Sequence, residues 1–149
     1  AVLEGPHVVY CDKVDPTGDS APRAFRMRLD AHSCALGKAM LAYKSLEELK
    51  EIYKSYSLHK HTGNTITSLD KLHFELRKIR AVGYSVNEAE TFDYVYGVGA
   101  AILNSQNRAV AAISLSGTKG SINVKTIPNL SRKVIEASRN ISLKLLEAR

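Results

Sequence analysis

Residues 30–42 of the chain have the sequence DAHSCALGKAMLA, in which small and apolar residues recur at helical spacing. The pattern predicts a helix from Ser33 to Tyr43. Small residues at a helix start let a ligand approach the N–H groups of the first turn, which attract carboxylates. They are equally typical of a helix packed tightly on a sheet, so the residues alone leave both interpretations open.

Two β-strands are predicted before this helix. Residues 7–14 are rich in β-branched and aromatic side chains, and residues 24–29 alternate apolar with basic side chains. Residues 15–20 between them have the composition of a turn. The chain starts without a methionine and within a strand-like segment. We therefore expect it to be part of a longer protein.

Two more helices, three strands and a last helix are predicted after the first helix. Ser45–Glu48 and Thr67–Asp70 have the pattern of capping boxes, and Gly83 predicts the end of the second of these helices. The last helix is predicted to begin at Pro128. The strands are predicted at residues 84–87, 94–103 and 109–116. Their connections are too short for helical crossovers, so we expect an α+β fold with a largely antiparallel sheet flanked by helices.

Length and composition predict a single globular domain over residues 1–149. Hydrophobic residues make up 44% of the chain and charged residues 24%, which is typical of such domains. No apolar run approaches the roughly 18 residues that a membrane span needs. The first residues lack the basic and apolar regions of a signal peptide. With two cysteines and no metal-type cysteine pair, we expect a cytoplasmic protein with reduced thiols and no contact with a membrane.

The net charge of +6 is concentrated near the end of the chain. Residues 119–149 contain seven basic and two acidic residues, and so carry +5 of that charge. A charged run of this kind is typical of the exposed face of a terminal helix. Neither a recognition helix nor an aromatic stacking platform accompanies it, so we do not expect this segment to bind DNA directly.

Histidine and glycine patterns give no strong prediction of a metal or phosphate site. His59 and His61, with His73 further along, would need another ligand nearby in space to hold a metal ion. Gly97–Gly99 and Gly117–Gly120 lack the complete frame of a phosphate-binding loop. Both glycine pairs are more typical of close packing in a strand or of a loop after a strand. We expect neither a metal site nor a cofactor.

Cys34 lies two residues after His32, so a cysteine–histidine nucleophile has to be considered. Residues at this spacing seldom place the base against the thiol, and the sequence shows no Asn or Asp poised to orient the imidazole. A small buried residue at a helix start is the expected role of Cys34. We expect no catalytic residue.

The segment 30–42 resembles the H-x-T-A-x-G-K-A-x-L-A signature of the effector-binding domain of IclR-type transcription regulators. Residues 76–85 resemble the family's L-x-x-I-R-x-x-G-Y-S/A block, and residues 87–90 take the place of its acidic D-x-E-E run. Residues 97–102 are similar to C-I-A-A-P-I, and residues 111–117 to A-A-I-S-V-S-G. The resemblance covers nearly the whole chain. It implies a GAF-like sensor domain without the winged helix-turn-helix domain that precedes it in this family.

The resemblance also implies the positions that contact the effector: Ala35, Leu36, Asn87, Val95, Gly97, Ser114 and Ser116. Alternation along a strand independently places Ser114 and Ser116 on one face. We expect both hydroxyls to be at least half buried and to lack a full set of protein partners. Many relatives have Asp in place of Asn87 and Cys in place of Gly97. An amide does not repel an anion, and glycine leaves room for a bulkier ligand.

The resemblance implies a sensing and oligomerisation module of a DNA-binding transcription regulator, without catalytic activity. The expected partners are a small anionic metabolite, such as an organic, aromatic or sugar acid, and further copies of the chain in a homodimer or homotetramer. DNA would be contacted only through the missing domain. Two alternatives stay open: a thiol-dependent enzyme that uses Cys11 or Cys34, and an oligomerisation module whose pocket has degenerated.

Overall fold

A computed structural model describes residues 1–15 and 26–148 of the chain. It shows the expected α+β architecture, with two antiparallel three-stranded sheets and helices. The strands are β1 (Val2–Glu4), β2 (His7–Val9), β3 (Arg28–Asp30), β4 (Ser85–Glu88), β5 (Tyr96–Leu103) and β6 (Ala109–Gly117). The helices are α1 (Ala35–Leu41), α2 (Leu46–Ile52), α3 (Leu69–Val82) and α4 (Ile127–Glu147), and a 3-10 turn covers Ala31–Ser33.

The two sheets have the orders β1-β2-β3 and β4-β5-β6. They meet at their edges, because the N-terminal amine of Ala1 donates to the Ala112 carbonyl at 3.0 Å and the Ala112 N–H donates back to Ala1 at 2.9 Å. The contact ties β1 to β6 at one position only. The end of β6 beyond it remains an edge strand among the described residues.

Helix α1 forms the centre of the core, since all of its residues are buried. Met40 and Leu41 pack in a cluster with Val8 of β2, Leu49 of α2 and Leu72 of α3. A helix that is buried on every side needs apolar side chains all around its axis. Residues 35–42 have such side chains, apart from one lysine.

The other face of the second sheet is covered by α4. Val134 of this helix packs in a second cluster with Val98 and Ala100 of β5. Helices therefore contact both faces of the β4-β5-β6 sheet. None of the helices in the described ranges is long and apolar enough to cross a lipid bilayer.

The caps of α2 and α3 differ in how well the sequence predicted them. The capping box at Ser45 and Glu48 is confirmed, with both reciprocal hydrogen bonds present. The box predicted at Thr67–Asp70 is wrong by one residue, because the hydroxyl of Ser68 accepts from the Lys71 N–H at 3.2 Å. Gly83 ends α3 as predicted, with a left-handed φ of 84° that glycine adopts without strain.

The first strands are shorter and more numerous than predicted. The strand expected over residues 7–14 is confined to β2, and Val2–Glu4 forms a separate strand that pairs with it. A two-residue turn at Gly5 and Pro6 allows the pairing of Glu4 with His7. The strand expected over residues 24–29 overlaps β3, and its first two residues lie outside the described residues, as does most of the turn expected at 15–20.

We expect Gly37→Ala to lower the free energy of unfolding by about 3 kcal/mol or more, above the usual cost of overpacking. A Cβ atom at Gly37 would overlap the carbonyl oxygen and Cα of Ala31, which are backbone atoms that cannot rotate away. Gly63→Ala is the control, because a Cβ there would meet no heavy atom within 4 Å. Urea unfolding measures both. Equal midpoints for Gly37→Ala and the parent would contradict the packing argument.

Candidate functional site

The side of the β4-β5-β6 sheet that contacts α1, called the α1 face below, gathers several polar and small side chains. Strand register places them in two rows across the three strands. Directly paired residues in neighbouring strands share a face, so each row points to the same side. The rows are Ser85, Gly99 and Ser114, and Asn87, Gly97 and Ser116.

The two glycines of β5 have different roles on the α1 face. A Cβ at Gly99 would lie 3.0 Å from the carbonyl oxygen of Ala35, so the start of α1 rests directly on this glycine. The hydroxyl of Ser85 donates to the same carbonyl at 2.6 Å. A Cβ at Gly97 would lie 3.4 Å from the Leu115 carbonyl oxygen, 3.5 Å from the Ala35 Cβ and 3.8 Å from the Asn87 Cβ, which are ordinary contacts. Packing therefore requires glycine at 99 but would accept a Cβ at 97.

Asn87 is 4% exposed and lies beside Gly97. Its Oδ1 accepts from the Glu90 N–H at 2.9 Å, which turns the chain back after β4. No described residue accepts a hydrogen bond from its Nδ2. The amide thus keeps one donor group for a molecule bound on the α1 face.

The start of α1 is less available to a ligand than the sequence suggested. Cys34 caps the helix, and its Sγ accepts from the Gly37 N–H at 3.4 Å. Burial raises the pKa of the Cys34 thiol to about 12. A thiol with that pKa is neutral and unreactive, which confirms the structural role expected for Cys34.

A buried ion pair fastens the segment 88–95 to α1. The Nζ of Lys38 lies 2.6 Å from Oε1 of Glu90, with side chains 2% and 8% exposed. Burial raises the pKa of the Glu90 carboxyl, and the Lys38 ammonium opposes that shift. The sequence analysis did not identify this pair. A signal for the pair was available, because a lysine in an otherwise small and apolar helix needs an acidic partner, and residues 87–90 contain two acidic residues.

Two further hydrogen-bond sets hold the segment 88–95 in place. The hydroxyl of Thr91 donates to the Ser33 carbonyl at 2.8 Å, and the two hydroxyls lie 2.8 Å apart. From the other side, the hydroxyls of Thr62 and Thr65 each donate at 2.7 Å, to the carbonyls of Ala89 and Glu90. The segment next to Asn87 is therefore fixed to both α1 and the loop after α2.

The structure brings together most of the seven residues that the family resemblance implied. Ala35, Asn87 and Gly97 are buried and adjoin one another on the α1 face. The hydroxyls of Ser114 and Ser116 have no hydrogen-bond partner among the described residues.

Three of the seven residues do not lie as expected for side chains that line a buried effector site. Ser114 is partly buried, but Ser116 is exposed because the end of β6 is an uncovered edge. The burial expected for both hydroxyls is therefore not found for Ser116. Leu36 packs in the core around α1. Val95 precedes β5, and its backbone closes a turn with Phe92 and Ala89.

The histidines named in the sequence analysis lie in two different places. His73 of α3 borders a groove lined by Lys44, Arg77 and Arg80. His59 and His61 line a second cleft together with Asp30 and His7. His73 therefore does not join the other two as a ligand. Asp30 and His32, which lie close to His61, were not predicted as its neighbours.

Comparisons with known proteins agree with this geometry. The family described as "Bacterial transcriptional regulator IclR C-terminal" matches residues 1–143. The HTH-type transcriptional regulator RhmR of Escherichia coli, itself described as uncharacterized, is 30% identical over 142 residues, which cover 95% of this chain and 55% of that protein. The chain thus spans little more than half the length of such relatives.

Two solved structures have the same fold. The IclR structure from Thermotoga maritima is 37% identical with a TM-score of 0.85, and the match covers 97% of this chain and 59% of that one. An IclR homolog from Microbacterium hydrocarbonoxydans, complexed with 4-hydroxybenzoate, is 21% identical with a TM-score of 0.80, over 97% and 58% of the two chains. The family match excludes the thiol-dependent enzyme, since the family consists of regulator domains.

We expect Lys38→Met to lower the free energy of unfolding by about 3–5 kcal/mol, because the Glu90 carboxylate then stays buried without its partner. Adding Glu90→Leu should restore a large part of that loss. Lys78→Met is the control, since Lys78 pairs with Glu75 on the surface, where such pairs contribute about 0–1 kcal/mol. Urea unfolding of the parent, these three variants and the single variant Glu90→Leu measures the coupling between Lys38 and Glu90. Equal losses for Lys38→Met and Lys78→Met would show that the buried pair has no special role.

Proposed function

The chain belongs to the IclR family as its C-terminal effector-binding domain, and from this premise we propose that it senses a small organic acid on the α1 face. The observation that carries the proposal is the group of polar side chains that lie near Gly97 on the α1 face. The Asn87 Nδ2 and the hydroxyls of Ser114 and Ser116 have no hydrogen-bond partner among the described residues. Unmet donors of this kind on a partly buried surface favour a bound ligand.

The polar groups on the α1 face favour an anionic ligand. An amide at position 87 and two hydroxyls can all donate hydrogen bonds to a carboxylate, and none of them repels it. Glycine at position 97 places no side chain of its own beside Asn87. The structural relative bound to 4-hydroxybenzoate shows that this fold can hold an aromatic acid. We therefore propose an aromatic carboxylic acid as the first class of effector to test.

The bound acid would act through the segment 88–95, which connects Asn87 to α1 by way of the Lys38–Glu90 pair. A ligand that moves this segment shifts the domain between two arrangements only if it binds one of them more tightly. We propose that the chain forms a homodimer or homotetramer and that the ligand-induced change alters the contacts between its copies. Several apolar side chains on the last turns of α4 are exposed and suit such a contact: Ile141, Leu143, Leu145 and Leu146. DNA contacts would come from a separate DNA-binding domain of the longer cytoplasmic protein.

An alternative function is a domain that only holds copies of the chain together and whose pocket has degenerated. We retain it because Gly97 stands where many relatives have cysteine. Native mass spectrometry separates the two functions, since it reports the oligomeric state and any co-purified acid in one measurement.

A thermal-shift screen tests the effector class. Because a ligand that binds only the folded state stabilises it by about 2.7 kcal/mol at one hundred times its Kd, the right acid should raise the Tm by several degrees. Benzoate and its hydroxy derivatives are expected to exceed short aliphatic acids of the same charge. Flat melting curves across the whole panel would contradict sensing and favour the degenerate pocket.

Ser114→Ala and Ser116→Ala test the position of the site. Each should weaken binding of the best acid by about fivefold or more, equivalent to about 1 kcal/mol for a lost hydrogen bond. The Tm without ligand should change little, because neither hydroxyl bonds a described residue. Ser55→Ala, on the exposed loop after α2, is the control. A lower Tm with unchanged affinity would assign the two serines to the fold and not to the site.

A further inference from the structure

A histidine–aspartate cluster lies outside the α1 face, at the entrance to α1. Asp30 is the last residue of β3, His32 lies in the 3-10 turn and His61 lies in the loop after α2. One ligand atom from each lies within 4.8 Å of the others. We propose that these three side chains bind a divalent transition-metal ion of the Zn²⁺ type.

His32 is the strongest evidence for a ligand. Its side chain is fully buried, and its Nδ1 has no hydrogen-bond partner among the described residues. The other ring nitrogen, Nε2, lies 3.0 Å from the carbonyl oxygen of His59. An imidazole that donates from Nε2 to a backbone carbonyl has its lone pair on Nδ1, which is the usual arrangement of metal-bound histidines.

Asp30 is held in the orientation of a metal ligand. The hydroxyl of Tyr56 donates to its Oδ1 at 2.7 Å, and the Nε2 of His61 lies 2.8 Å from its Oδ2. One carboxylate oxygen is therefore fixed by Tyr56 and the other is directed at His61.

The spacing of the ligand atoms is close to that of a metal site. Bonds of about 2.0–2.2 Å to nitrogen and oxygen place tetrahedral ligands roughly 3.4 Å apart. The present spread of up to 4.8 Å has to contract. His61 can supply most of this movement, because its side chain is 33% exposed and belongs to a loop.

The ligand set and the cleft beside it favour a metal ion with a coordination position open to solvent. Two imidazoles and one carboxylate suit Zn²⁺ and related transition metals and leave at least one position for water or a ligand oxygen. Asp30 and His61 line a cleft of about 430 Å³ that also includes His7 and Arg28. The Nε2 of His7 lies 3.5 Å from Oδ1 of Asp30 and is a candidate for the fourth position. The cleft lining contains none of the seven effector positions, so this proposal does not depend on the proposed function.

Isothermal titration of the chelator-treated chain with ZnCl₂ tests the proposal. One ion should bind per chain, and Co²⁺ should give the visible absorption bands of a site with nitrogen and oxygen ligands. His61→Gln should weaken Zn²⁺ binding about 100-fold or more, because it removes a ligand. Tyr56→Phe keeps every ligand and should weaken binding about tenfold, the usual effect of losing an orienting partner.

His73→Gln is the matched control, since it changes a histidine of α3 that borders a different groove. Its affinity for Zn²⁺ should equal that of the parent. Because His32 is fully buried and its replacement would disturb the core, Asp30→Asn serves as the second ligand variant, with circular dichroism to confirm the fold. Absence of saturable binding would overturn the proposal. Equal weakening by His73→Gln and His61→Gln would show that Zn²⁺ binds unspecifically to histidine side chains, and it would overturn the proposal as well.

Discussion

The close approach of backbone segments around α1 is the constraint on which the rest of the structure depends. The helix touches the 3-10 turn at Gly37 and the sheet at Gly99, and a side chain at either position would meet backbone atoms of Ala31 or Ala35. Because interiors are close-packed, such contacts leave little freedom in how the helix is placed. The helix is consequently buried on all sides. Any polar group that it carries has to find its partner inside the protein.

Lys38 is that polar group, and its pairing with Glu90 explains the position of the segment 88–95. Taking both charges out of water is costly, so the pair adds little net stability compared with two apolar side chains. It does specify where the segment lies. Thr91 and Asn87 complete the attachment through Ser33 and through the Glu90 N–H. The proposed effector site thus borders a segment that is held by polar contacts, which a ligand can rearrange more readily than an apolar core.

Local patterns predicted the parts of the fold that depend on neighbouring residues. The Ser45 cap, the end of α3 at Gly83 and the shared face of Ser114 and Ser116 follow from spacing alone. The exposure of Ser116 could not be predicted, because it depends on which strands pair with β6. The Lys38–Glu90 pair and the Asp30–His61 contact join residues 52 and 31 positions apart, and no local pattern reports such distances. This is why the sequence placed His61 in a solvated loop without a third ligand.

The two proposed sites share one hydrogen-bonded path. From Asn87 it runs through Glu90 to Thr91, whose hydroxyl bonds Ser33, and the Ser33 hydroxyl donates to the Asp30 carbonyl at 3.1 Å. A path of contacts does not by itself show energetic coupling, which needs two states that both ligands bias. The segment 88–95 is the element that could adopt them, since both sites border it. Coupling of this kind would be reciprocal, so an acid that tightened the binding of Zn²⁺ would have its own affinity raised by the same factor.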